Sequence, residues 1–137
     1  MKLPSLKIVF LAVAAFIILQ LIFRMWPLPA EAWRAGGMPE GMQSLVKPGG
    51  YYVISQEVTK ANIETLIRAT PRIKVLQQNP KFVAVVRSAF WGFPDMIEIW
   101  ESDSGVHLRG NLVIGWSDYG TNRRRILGWL ERSKFQK

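Results

Sequence analysis

MIEIWESDSGVHLRGNLVIGW, residues 96–116, is the stretch on which the architecture turns. Two β-rich arms flank Ser102-Asp103-Ser104-Gly105, residue types that close a tight hairpin. In the first arm Met96, Glu98 and Trp100 share one face, opposite Ile97 and Ile99. In the second, Val106, Leu108, Leu112 and Ile114 point inward, and His107, Arg109 and Asn111 point out. A period of two with one apolar face belongs to an antiparallel sheet packed on a core.

The flanking segments extend this sheet. Residues 81–90 form a strand with Phe82, Ala84 and Val86 on one face and Val83, Val85 and Arg87 on the other. Apolar residues on both faces make it central, and Gly92-Phe93-Pro94 ends it. Before the Asn79-Pro80 turn, Ile73 and Val75 alternate with Arg72 and Lys74 as a half-exposed strand. Upstream, Thr59 caps a short helix in which Ile63, Leu66 and Ile67 repeat at helical spacing, and Pro71 ends it. Tyr51-Tyr52-Val53-Ile54-Ser55 is the first strand. At the other end Thr121 or Asn122 caps a helix with the stripe Ile126, Trp129 and Leu130. The expected fold is α+β in the order β-α-β-β-β-β-α. It has a mainly antiparallel sheet of about five strands, with two helices on one face, over residues 51–137.

The N-terminus is different in kind. Residues 8–23 contain one polar residue, Gln20; Lys2 and Lys7 precede the run, and Arg24 and Trp26 follow it. Sixteen helical residues span about 24 Å against a hydrocarbon core of about 30 Å, and snorkelling by Lys7 and Arg24 closes the gap. Residues 1–26 therefore read as one N-terminal transmembrane helix. A cleaved signal peptide ending near Ala30-Glu31-Ala32 is the rival, and a buried core helix is disfavoured by apolarity on every face. The lysines of the short N-terminal flank keep that end in the cytoplasm, so the rest is exported. This places the chain in the inner (cytoplasmic) membrane as a single-pass protein, with its C-terminal domain in the periplasm. Gln20, an amide in hydrocarbon, is expected either to face a partner helix or to sit near enough to the interface to find water. Residues 27–50 hold Pro27, Pro29, Pro39 and Pro48 with five glycines and read as a linker.

Composition narrows the chemistry. The 137 residues include no cysteine and one histidine. That excludes disulfides, thiol nucleophiles and cysteine or multi-histidine metal sites, so no metal or cofactor is expected. The carboxylates Asp95, Glu98, Glu101 and Asp103 read as a solvated hairpin face, and His107 as a surface histidine. The net charge is +8; three of the eighteen basic residues precede Met25, and all ten acidic ones follow it. The exported part is thus only modestly basic. Its charge suits anionic lipid headgroups, and no nucleic-acid partner is expected.

The turn Gly115-Trp116-Ser117-Asp118-Tyr119-Gly120-Thr121-Asn122-Arg123-Arg124-Arg125 resembles the closing signature of the family called domain of unknown function 1499. Thr70-Pro71-Arg72 and residues 87–95 (RSAFWGFPD) match the same pattern, and the resemblance covers about 51–132. Val113-Ile114 stands where that family carries Ser-Arg, so no role of that arginine transfers. The resemblance implies a bacterial exported or membrane-attached protein and no particular activity.

Two clusters are candidate sites. Ser117, Asp118, Gly120, Asn122, Arg123 and Arg124 lie between a strand end and a helix start. They form either an anion-binding arrangement or a turn in which Asp118 accepts amide hydrogen bonds, Gly120 takes a positive φ and Asn122 caps. Phe90, Trp91, Phe93, Trp100 and Trp116 form either core or an apolar contact surface. The leading functional expectation is a non-enzymatic accessory subunit of a membrane complex, in contact with the bilayer and integral membrane proteins. A lipid- or amphiphile-binding module, with a pocket lined by Trp91, Trp100 and Trp116, is the alternative. A hydrolase built on a buried Asp118 or Glu98 is third.

Overall fold

The computed structural model describes residues 4–29 and 37–135. The proposed cleavage site at 30–32, and Trp33 of the linker, lie outside them. The elements are α1 (Leu6–Arg24), β1 (Ser44–Lys47), β2 (Gly50–Ser55), α2 (Lys60–Arg68), β3 (Ile73–Gln77), β4 (Phe82–Arg87), β5 (Pro94–Ser102), β6 (Gly105–Leu112) and α3 (Thr121–Lys134). Six strands form one antiparallel sheet in the order β1-β2-β6-β5-β4-β3. The fold is α+β, as the alternating patterns predict. The crossover from β2 to the far edge strand β3 runs through α2.

Three details differ from the expectation. The strand expected over 81–90 ends at Arg87, where Ser88 turns to bond Phe93. A sixth strand, β1, lies inside the Pro/Gly-rich stretch. Its register pairs Lys47 with Gly50, so Pro48-Gly49 is the turn of a hairpin and not a break in structure. The turn is held by hydrogen bonds from Leu112 N to Gly49 O (2.9 Å) and from Asp118 N to Pro48 O (3.0 Å). The last strand stops at Leu112 and does not reach Trp116, because Gly115 turns the chain with φ 96°.

One sheet face carries the core. Phe82, Ala84, Ile97, Ile99 and Leu108 are fully buried there, under Ile63 and Ile67 of α2 and Ile126 and Trp129 of α3. Thr59 caps α2 by accepting from Asn62 N, as its position predicts. The Trp129 indole donates to Thr70 Oγ1 (3.0 Å), tying α3 to the loop after α2. At about 25 cal/mol per Å² of apolar surface removed from water, this layer dominates the fold's stability. The opposite face carries a second, smaller cluster, in which Leu28 packs against Val85 and Met96 with Val83 and Val113. The segment after α1 therefore lies on the sheet.

Candidate functional site

The signature turn is built around Asp118. Its Oδ1 accepts from Gly120 N, and its Oδ2 from both the backbone N and the Nδ2 of Asn122, each at 2.9 Å. Gly120 occupies the N-cap position in the left-handed region (φ 74°). Asn122 is not the cap. It sits one residue inside the helix and is fully buried, and Asp118 does the capping from outside. An Ala at 110 would place its Cβ 2.8 Å from Asn122 Oδ1, so Gly110 is what lets Asn122 lie flat on β6.

The three arginines are engaged within the fold. Arg125 Nη1 donates to Asn122 Oδ1 (2.8 Å) and pairs with Asp95 Oδ2 (2.9 Å). Arg124 donates to Tyr119 O (2.9 Å) and Thr121 Oγ1 (3.2 Å), and the Arg123 guanidinium stands over Tyr51 at 6.0 Å. A chain of polar contacts, Asp118–Asn122–Arg125–Asp95, therefore clamps the turn and α3 to β5. Burial pushes the Asp95 carboxyl above the usual range, and the Arg125 charge opposes that shift. Ser117 Oγ accepts from Tyr119 N at 3.2 Å, an exposed turn contact. The clamp is largely self-satisfied and gives the turn a structural task.

The second sheet face corrects two expectations. His107 is not a surface residue: it is 7% exposed. Its Nδ1 is hydrogen-bonded to Tyr52 Oη (2.7 Å), and its Nε2 to Ser102 Oγ (2.6 Å) and Ser104 Oγ (3.1 Å). Trp100 stacks on its ring at 4.7 Å. Glu98 is also buried and forms an ion pair with Arg109, while Asp95, on the core-side face, is half-buried and pairs with Arg125. The reason is register: Tyr52 faces Arg109 and Arg109 faces Glu98 across β2, β6 and β5. Aromatic neighbours then shut out water, and the charges pair because burying them unpaired is costly.

A serine on an imidazole nitrogen has the form of a nucleophile–base pair. Here the third partner is a phenol and not a carboxylate, and two serines share Nε2. Burial, then Arg109 and Lys81, hold the imidazole pKa below its ordinary value, which disfavours the imidazolium that a general base must become. The arrangement is that of a lock on the β5–β6 hairpin. Among the described residues, no group of three or more His, Cys, Asp or Glu side chains comes together for a metal ion.

The five candidate aromatics do not line one pocket. Phe90, Trp91 and Phe93 meet α1: Phe16 lies 5.8 Å from both Phe90 and Trp91, and Phe23 lies 4.6 Å from Phe93 and 6.3 Å from Trp91. Trp100 belongs to the His107 stack near the other end of β5, and Trp116 is 81% exposed on the signature turn. Arg87 Nη1 donates to Phe23 O (3.1 Å) and Gly92 O (3.0 Å), joining the end of α1 to the aromatic loop. Gln20 lies between Phe16 and Phe23 at helical spacing, on the stripe that faces this loop.

Sequence reasoning missed Glu98, Gly110 and His107 as interior residues, and Asp95 as a half-buried partner of Arg125. A polar residue on a strand reads as solvent-facing unless the neighbouring strands are known. The one usable signal was the apolar run on both faces of β4, which implies that both sheet faces are covered.

The comparisons agree with the signature. Residues 37–132 match the family described as Protein of unknown function (DUF1499). No curated protein and no solved structure matches the chain.

Proposed function

Since the chain belongs to the DUF1499 family, whose description carries no activity, we propose from its own geometry that it is a non-enzymatic, membrane-anchored accessory protein. Its α1 stays in the inner membrane with the N-terminus in the cytoplasm. Its domain works in the periplasm as part of a complex with integral membrane subunits. The observation that carries this reading is the join between α1 and the domain. Phe16 and Phe23 pack on the aromatic loop, and Arg87 closes the Phe23 carbonyl. A 19-residue apolar helix is of a length and composition that a signal sequence also has. A segment destined for cleavage has no use for a fitted contact with the mature fold, and this favours retention. The carboxylates and arginines that chemistry would need are tied to one another by the clamp and by the Glu98–Arg109 pair.

The test is purification of the full chain from native membranes in mild detergent, followed by mass spectrometry. The reading expects integral membrane proteins in fixed ratio. They should be lost when α1 is replaced by an unrelated transmembrane helix that still anchors the domain. Recovery of the chain alone, after chemical crosslinking in intact membranes, refutes the accessory role.

A further inference from the structure

The loop at 88–93 reaches down α1. Phe23 is the last apolar residue before Arg24, and Phe16 lies seven residues deeper, about 10 Å along the helix axis. The Phe90 and Trp91 rings touch Phe16, so these side chains reach below the level of Arg24, which Gly92 of the same loop adjoins. Phe90 is nevertheless 62% exposed. An exposed aromatic beside the middle of a helix apolar on every side has water next to it only if no bilayer surrounds that helix.

The loop is also built for such surroundings. It carries no charge from Ser88 to Phe93, and the amides at its two ends are closed internally. Ser88 N donates to Phe93 O, Gly92 N to Ser88 O, and Phe93 N to Ser88 Oγ, while Arg87 serves Gly92 O. Unsatisfied backbone groups cost several kcal/mol each in hydrocarbon, so this closure lets the loop backbone lie at the headgroup level while its rings reach deeper. The register puts the signature turn at the same end of the sheet: Val113 N donates to Pro94 O, and Asp95 pairs with Leu112. Trp116 and Tyr119 are more than 80% exposed there, the amphipathic aromatics that favour a membrane–water interface. The acidic Glu57, Glu101 and Asp103 lie at the opposite end, where Ser55 pairs with Val106 and Ser102 with Gly105.

We propose that this end of the sheet is a second membrane-contact element, with the Phe90 and Trp91 side chains reaching into the acyl region of the leaflet nearest the domain and the loop backbone, Trp116 and Tyr119 at its headgroups. The occupant of the exposed surface around Phe90 is phospholipid. The proposal rests on the anchored reading of α1 and adds a lipid-embedded part of the domain to it.

The absence of cysteine permits site-directed spin labelling without background. Full-length Phe90→Cys, Ile17→Cys and Asp103→Cys are labelled and reconstituted in vesicles of phosphatidylcholine and phosphatidylglycerol. Accessibility to oxygen, which concentrates in hydrocarbon, is compared with accessibility to a water-soluble nickel chelate. Position 90 should show an oxygen-to-nickel ratio raised to that of position 17, and position 103 a low ratio. If 17 is hydrocarbon-like while 90 behaves as 103 does, the proposal is overturned and the anchor stands. If 90 is shielded from both reagents, protein covers it, and the lipid occupant is refuted. If 17 itself is nickel-accessible, the anchor fails and the proposal fails with it.

Discussion

Asp118 holds three donors with two oxygens, and that sets what its loss should do. Removing the cap of a helix costs about 0.5–2 kcal/mol, and an orphaned buried amide about 1–3 kcal/mol more. Asp118→Ala should therefore destabilise the full chain by about 2–4 kcal/mol, a large share of a typical total of about 5–15 kcal/mol. Arg124→Ala should change stability by no more than about 0.5 kcal/mol. Its exposed contacts to Tyr119 and Thr121 are weak, and its charge opposes the helix dipole. Urea titration of both variants in detergent separates them. A wild-type midpoint for Asp118→Ala would show that the turn is held by something else. Asn122 illustrates what sequence position alone leaves open. Its place next to Thr121 suggests a cap, but the positive φ of Gly120 starts the helix two residues earlier than an Asn122 cap would and turns Asn122 inward.

The β5–β6 hairpin is locked by the only histidine in the chain. Its folded pKa lies below the ordinary value of about 6.5, through burial and then Arg109 and Lys81. The unfolded chain therefore takes up this proton first as pH falls. The stability contribution is complete above about pH 6.5 and is lost as pH drops from there toward the lowered folded value. Asp95, whose pKa is raised, works in the opposite direction and cannot imitate this loss. Stability measured from about pH 7.5 down to about pH 5 should fall, and His107→Gln should flatten the slope. An unchanged slope in that variant would assign the dependence elsewhere. The hairpin itself was plain from Ser102-Asp103-Ser104-Gly105, because turn chemistry is local. That His107 is interior was not, because Tyr52 lies 55 residues away and reaches it only through the β2–β6 register.

For the molecule as a whole, the helix–domain join gives a topology that can be measured. Protease added to intact spheroplasts should digest the domain and leave the α1 segment. Full protection until lysis would place the domain in the cytoplasm and refute the export reading. The sequence by itself determined the apolar N-terminal helix, the α+β class, the hairpin, the caps and stripes of α2, and the family signature. Each depends on periodicity, hydropathy or turn chemistry within a few residues. It did not reveal β1, because Pro48-Gly49 reads as a break until its partner strand shows it to be a turn. It did not reveal that Glu98 and His107 are interior, that Asp95 pairs with Arg125, or that Phe90, Trp91 and Phe93 pack on α1 while Trp100 does not. Those facts come from residues far apart in the chain being brought within a few ångströms. Burial, ion pairing and ring contact depend on which strand lies beside which, and only the tertiary structure decided that.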